Sequence, residues 1–334
     1  MAIGPIYRPI AELMRELGVD VDAVLAGFDL TPAQLVAADT RLGTDRGRSL
    51  GRALLKALPA TIDRSSIGLR AAERFVTADA DLLGYIMSHS AHPLEAAEAM
   101  AEHACLLGDS ADCRVESVPE RVTITLGLIG GKQMLLETSD FAAAVVYRLL
   151  RECSRGAARP SEVRLPRPAP RNPRLFERFF GAPVTFDAPV AALIYPRACM
   201  AVPFTQSDRR LLDILRAHAR ERLQAMPQAD FQDRARAFIA DGLLGGEYGL
   251  EHLAFRCGMS ERTLRRRLSD AGTSYRELVD DVRRERALLL LDAEQSISLI
   301  AQHLGFSDAT AFARAFRRWT GHPPHLYMRS RRSA

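Results

Sequence analysis

No apolar run in the chain approaches the roughly 18 residues that a membrane span needs, and the opening Met1-Ala2-Ile3-Gly4-Pro5 lacks the basic region and apolar stretch of a secretory leader. A cytoplasmic location with no membrane partner is expected. Cysteine is sparse: Cys105, Cys113, Cys153, Cys199 and Cys257 are odd in number, widely spread and never in a C-x-x-C pair. Neither a disulfide framework nor a zinc ribbon is indicated. His103 and Cys105 lie two apart in a stretch that reads as helix, where that spacing does not converge on one ion, so no metal is expected. Catalytic signatures are missing as well. There is no G-x-S-x-G and no G-x-x-x-x-G-K-[ST], and Gly130-Gly131-Lys132 lacks the rest of a phosphate loop. His89 and His92 fall near a helix end, where surface or capping roles suit them. Without a His/Cys/acid cluster at catalytic spacing, neither an enzyme nor a cofactor is expected.

A pattern that occurs twice stands out against these absences. Ala254, Gly258 and Ser260 are followed by apolar Leu264 and Leu268; Ala301, Gly305 and Ser307 are followed by Phe312 and Phe316. The small residues recur at an offset of 47 and the apolar pair at 48. Each copy reads as a helix, a tight turn and a second helix. Alanine lets two helices approach, glycine supplies the positive φ that ends the first, and serine can cap the next. That is the helix-turn-helix arrangement, whose second helix enters a major groove. Four arginines, Arg262, Arg265, Arg266 and Arg267, fall within six residues of the first copy, and Arg314, Arg317 and Arg318 line the second. At about 100° per residue, Arg262, Arg265 and Arg266 share a face opposite Leu264 and Leu268. Net charge adds less. From Ala229 onward 17 arginines face 14 acids, so local clustering and not the total must attract phosphate.

The segment from about 228 to 329 resembles the DNA-binding domain of the AraC/XylS family of bacterial transcription regulators. Gly258-Met259-Ser260 with Thr263-Leu264, Val282-Arg283 with Ala287 and Leu291, and Gly305-Phe306-Ser307-Asp308 with Phe312, Arg314 and Phe316 carry the likeness. Trp319, Gly321, Pro324 and Tyr327 extend it; Met328 departs from the arginine usual after the tail tyrosine. The resemblance implies two helix-turn-helix units joined by a long helix. Tyr275 to Leu291 fits that helix, about 25 Å long and able to serve grooves roughly 34 Å apart.

Upstream, the pattern is mixed. Ile10, Leu13, Met14 and Leu17 form an apolar stripe ended by Gly18, Val21, Val24 and Leu25 a second, and helical segments follow at 50–58, 82–89 and 94–107. Alternation from Cys113 to Val118 and from Val122 to Leu126, with Pro119-Glu120 between, predicts a hairpin. A helix over 140–152, a strand at Glu162-Val163-Arg164-Leu165, a short helix and strand over 175–187 and a helix from Asp208 to Leu223 complete the reading. The 175–187 segment, with Glu16-Leu17-Gly18-Val19-Asp20 and Ile67-Gly68-Leu69-Arg70, is similar to the effector domain of the AraC-type subgroup that includes ornithine-utilisation and mycobacterial virulence regulators.

The expected fold is mainly α with a smaller α+β component. An α+β effector-sensing and dimerisation domain, 1–225, precedes an all-α double helix-turn-helix domain, 228–334, with the connection near 224–230. The resemblance implies a regulator, expected to be an activator, reading an asymmetric site on double-stranded promoter DNA, with RNA polymerase, a small-molecule effector and a second copy of the chain as partners. Control by a partner protein, or architectural DNA binding, remain alternatives. Arg262, Arg265 and Arg266 are candidates for base edges; Asp308, Ala309, Thr310 and Arg314 are the exposed positions of the second helix that match the family's contacting ones. Arg317 and Arg318 suit phosphates, and Ser260, Thr263 and Ser307 complete the candidate set. Glu261 and Asp308 also suit a helix N-terminus.

Overall fold

The computed structural model describes residues 5–36, 44–107, 111–128, 134–225, 228–245, 248–257, 259–293 and 295–332. The chain divides into two compact units, Met1–Ala225 and Met226–Ala334. Met226 and Pro227, in the expected connection, lie outside the described residues, as does Gly258.

The first unit begins with helices α1 (Arg8–Glu16), α2 (Val21–Ala26), α3 (Pro32–Val36), α4 (Thr44–Lys56), α5 (Ile67–Arg74), α6 (Asp81–His89) and α7 (Pro93–His103). Gly18 ends the first stripe at a φ of +83°, and His92 caps α7 by accepting from the Glu95 N–H at 3.1 Å. Strands β1 (Ala111–Ser117) and β2 (Arg121–Leu128) form the expected hairpin, after which α8 (Leu136–Cys153) starts four residues earlier than the apolar pattern alone predicts. The unit closes with β3 (Glu162–Arg164), α9 (Pro173–Phe180), β4 (Val184–Thr185), β5 (Ala191–Pro196) and α10 (Arg209–Gln224).

The five strands form one sheet in the order β1-β2-β5-β3-β4, antiparallel except for β3 with β4. Its central strand, β5, has no counterpart in the sequence reading. Ala191 to Tyr195 are all buried, so a strand covered on both faces shows no alternation to detect.

Packing of α5 on α8 sets the heart of this unit. Gly68 permits it, because a Cβ there would come within 2.5 Å of the Glu137 carbonyl and 2.7 Å of the Asp140 Cβ. Beside that close approach the buried carboxylate of Asp140 pairs with the buried guanidinium of Arg167, which also donates to the Ser65 carbonyl at 2.9 Å and lies 5.1 Å over the Phe176 ring. Burial pushes the Asp140 carboxyl up to about 7 against the pull of Arg167. An apolar cavity of ≈ 130 Å³ remains within this unit, walled by α8, the hairpin and the helices before it.

The second unit is helical: α11 (Gln228–Gly245), α12 (Leu250–Arg256), α13 (Glu261–Asp270), α14 (Tyr275–Asp292), α15 (Ile297–His303), α16 (Ala309–Thr320) and α17 (Pro324–Arg332). One core joins Phe231, Ala235 and Ile239 of α11 to Leu264 and Leu268, to Leu278, Val282 and Leu291 of α14, and to Phe312 and Phe316. Trp319 is half-buried and packs at the edge of this core, 6.0 Å from the Phe306 ring. Among the described residues no helix is long and apolar enough to cross a membrane.

Candidate nucleic-acid interface

The two copies of the repeat fold alike and then diverge by one residue. After α12 the Met259 N–H returns to the Ala254 carbonyl at 3.0 Å; after α15 the Phe306 N–H returns to the Ala301 carbonyl at 2.9 Å. Both bonds span five residues, as in a helix end closed by a left-handed residue. In the second copy that residue is Gly305, at a φ of +70°.

The caps that follow are not equivalent. Ser260 caps α13, its hydroxyl accepting from the Thr263 N–H at 3.2 Å and bonding the Thr263 hydroxyl at 2.9 Å. The sequence predicts Ser307 in the same role, and the structure corrects this: Asp308 caps α16, accepting from the Ala311 N–H at 2.7 Å, while Ser307 donates to its other carboxylate oxygen at 3.0 Å. The reason lies in the apolar pair. Phe312 and Phe316 stand 48 residues after Leu264 and Leu268, so α16 must start one residue late to bury them, and aspartate caps as well as serine does. The second turn is thus one residue longer. The Ala311 N–H holds the Asp308 carboxyl below the usual carboxylate range, so it stays ionised at the helix start.

Aligned on the buried pair, Arg262 corresponds to Thr310, Arg265 to Ala313 and Arg266 to Arg314. All are exposed except Ala313, which is half-buried, as is Ala309 at the first position of α16. Ala313 was not singled out by sequence reasoning; only the corrected register reveals it as the counterpart of Arg265. Arg267 leaves this face. Its guanidinium lies 4.5 Å over the Phe231 ring of α11, within the helical core.

Two of the candidate arginines already have partners. Arg265 meets Glu261 one turn away at 3.3 Å, and Arg318 reaches Asp280 of α14 at 2.8 Å. Exposed pairs of this kind are worth about 0.2–1 kcal/mol, so a phosphate or a base can displace them. Arg317 is exposed at the end of α16, next to Arg318.

The position of the second unit's turn depends on a residue outside both recognition helices. Arg283 of α14 donates to the Leu304 carbonyl at 3.0 Å and to the Tyr248 hydroxyl at 2.8 Å, with the Gly305 carbonyl at 3.4 Å. Its guanidinium also lies 4.5 Å over the Phe306 ring. These bonds satisfy carbonyls that a helix end leaves unpaired, and they tie the turn before α16 to the helix that joins the two motifs. Gly305→Ala is expected to cost about 1–2 kcal/mol from the left-handed backbone alone. An added Cβ would also sit 3.1 Å from the Tyr248 hydroxyl. A urea melt followed by the fluorescence of Trp319, the single tryptophan, reads this unit.

Comparison with known proteins agrees with this geometry. Residues 18–204 match the signature described as the arabinose-binding domain of AraC transcription regulators, N-terminal, and residues 253–330 match a helix-turn-helix domain. The chain is 27% identical over 348 aligned positions to an uncharacterized HTH-type transcriptional regulator, Rv1395, of Mycobacterium tuberculosis, covering 97% of this chain and 96% of that one. It is 25% identical to the ornithine utilization regulator of Pseudomonas aeruginosa, covering 95% and 93%. The crystal structure of the transcriptional regulator CdpR from Pseudomonas aeruginosa aligns over 98% of this chain and 99% of its own at 22% identity, with a TM-score of 0.45. The arabinose-binding signature alone spans more than half of the chain, so the protein belongs to the AraC family of transcription regulators, with a helix-turn-helix DNA-binding domain at its C-terminal end.

Proposed function

We propose that the protein is a one-component transcriptional activator: a small molecule taken up by the first unit changes how the paired helix-turn-helix motifs occupy an asymmetric promoter site, and the bound protein, as a homodimer, recruits RNA polymerase. The observation that carries the DNA half of this reading is the pair of turns with the same closing hydrogen bond, each followed by a capped helix with an exposed arginine at the equivalent position, Arg266 and Arg314. The interior cavity of the first unit supports the ligand half.

In this reading α13 reads more stringently than α16. It presents Arg262, Arg265 and Arg266, which suit guanine edges, whereas α16 offers Ala309, Thr310, Ala313 and Arg314, with alanine limited to apolar contact such as a thymine methyl. Arg317, Arg318 and the amides at each helix start serve the phosphates, while Ser260, Thr263, Ser307 and Asp308 shape those starts.

The test is retention of fragments of the source genome at near-physiological salt, followed by sequencing. Discrete sites of about two helical turns are expected. Arg266→Ala and Arg314→Ala should each cost about 1–3 kcal/mol at those sites and leave binding to random DNA nearly unchanged. Equal losses on both DNAs would make them phosphate contacts and sink the base-reading assignment.

A further inference from the structure

From the first unit's interior we infer that the effector is a small hydrophobic molecule with one oxygen acceptor at its end, and not a sugar or a diamino acid. The inference deepens the proposed effector control and rests on it.

Two cavities lie side by side. The larger, ≈ 130 Å³, is walled by Leu83, Met87, Met100, Phe141, Val145 and Leu149, with Cys113 and Leu126 of the hairpin. The smaller, ≈ 60 Å³, shares Tyr7, Ile10, Leu128, Met134, Thr138 and Phe141 with it and reaches Arg48 and Gly51 on α4. Protein interiors rarely keep voids much larger than a water molecule. For comparison, an apolar cavity of about 150 Å³ stays dry and binds benzene. The larger cavity therefore has room for one aromatic ring or a short aliphatic body.

Polarity is confined to a few positions. Every hydroxyl of a buried sugar, and all three charged groups of a diamino acid such as ornithine, would need a partner. Among the described residues the larger cavity offers only Tyr7, Asp112, Thr138 and the weakly polar thiol of Cys113, and Asp112 is already paired with Arg114 at 3.2 Å. Among the described residues the larger cavity thus holds no polar cradle for the arabinose of the family signature. At the far end of the smaller cavity stands Arg48, whose Nε is shielded from water with no hydrogen-bond partner among the described residues. Arg48 is the single cation among the described residues that line either cavity, and Glu137 also lines the smaller one. An oxygen acceptor placed at that end completes Arg48, and the apolar body fills the larger cavity.

The test uses the full chain and four probes: benzyl alcohol, phenylacetate, L-arabinose and L-ornithine. Thermal melting and calorimetric titration read binding, and retention of a preferred DNA site reads control. Benzyl alcohol or phenylacetate, or both, should raise the melting temperature, while arabinose and ornithine leave it unchanged. Ala142→Leu, which adds a side chain to the wall of the larger cavity, should abolish that shift while leaving the unliganded chain folded. Arg48→Met, which keeps length and removes every donor, should weaken the responding probe at least tenfold. Stabilisation by arabinose or ornithine alone, no shift from either aromatic probe at millimolar concentration, or a shift that survives Ala142→Leu would overturn the inference. The DNA arm separates this claim from the one beneath it. Probes that bind as described but leave DNA occupancy unchanged uphold the cavity assignment and refute effector control. Occupancy that responds only to arabinose or ornithine upholds control and refutes the assignment.

Discussion

Above pH 7, where its carboxyl is ionised, Asp140→Ala is expected to destabilise the first unit by about 3–5 kcal/mol, because it leaves Arg167 buried without its counter-charge. Among the described residues the guanidinium would retain the Ser65 carbonyl and the Phe176 ring, with the Asp63 carboxylate acting at longer range. Asp140→Asn keeps an acceptor for Arg167 and should cost distinctly less. The ranking can be checked by urea unfolding followed by circular dichroism, where the midpoint should fall with little change in slope. A pH series adds a signed test. The Asp140 carboxyl is raised to about 7 in the folded chain, so between the ordinary carboxylate range and about pH 7 the folded state holds a proton that the unfolded state has released. Its contribution to stability is therefore greatest in acid and declines as pH rises through about 7. Asp140→Asn should remove that decline; a variant with the same pH slope as the parent would show that the carboxyl is not the group responsible.

Arg283→Ala is the second large effect, about 2–4 kcal/mol, since it removes charged hydrogen bonds and the stacking of a guanidinium on an aromatic ring in one step. The destabilisation should appear in the Trp319 transition of the second unit. Specific DNA binding should also fall, although Arg283 takes no part in the proposed base contacts. It fixes Leu304 and Gly305, and through them the start of α16. Arg283→Lys tests the mechanism: an ammonium can reach one carbonyl but cannot serve carbonyl and phenol while stacking on Phe306. Partial rescue of stability with little rescue of specific binding is expected. Full rescue of both would mean that charge alone suffices.

The helical half of the fold was legible because its signals are local. Capping residues, turn glycines and a 3.6-residue apolar period state where α13, α14 and α16 run, and the outward arginines follow from the same period. What escaped depends on neighbours distant in sequence. β5 is buried on both its faces, so its five buried residues offer no alternation. The Asp140 and Arg167 pair joins residues 27 apart, and neither lies in a recognisable motif. Arg283 was visible as part of a family likeness, but nothing in its own segment told that it would hold a turn 21 residues away. The shift from Ser307 to Asp308 is the instructive miss. The offsets of 47 and 48 were both in the sequence, and only the buried pair tells which of them governs the helix.

That extra residue in the second turn limits how the protein can be recoded. Anyone transplanting the reading face of α13 onto α16 must align on the buried pair. An alignment on the Ala-Gly-Ser signature, one residue off, would rotate every grafted side chain by about 100°. Leu264 would then land on position 311 and Arg265 on position 312, where Phe312 now fills the core. Such a chimera would fail by unfolding before its base preference could be read, whereas the same substitutions moved by one residue would present the arginines to solvent.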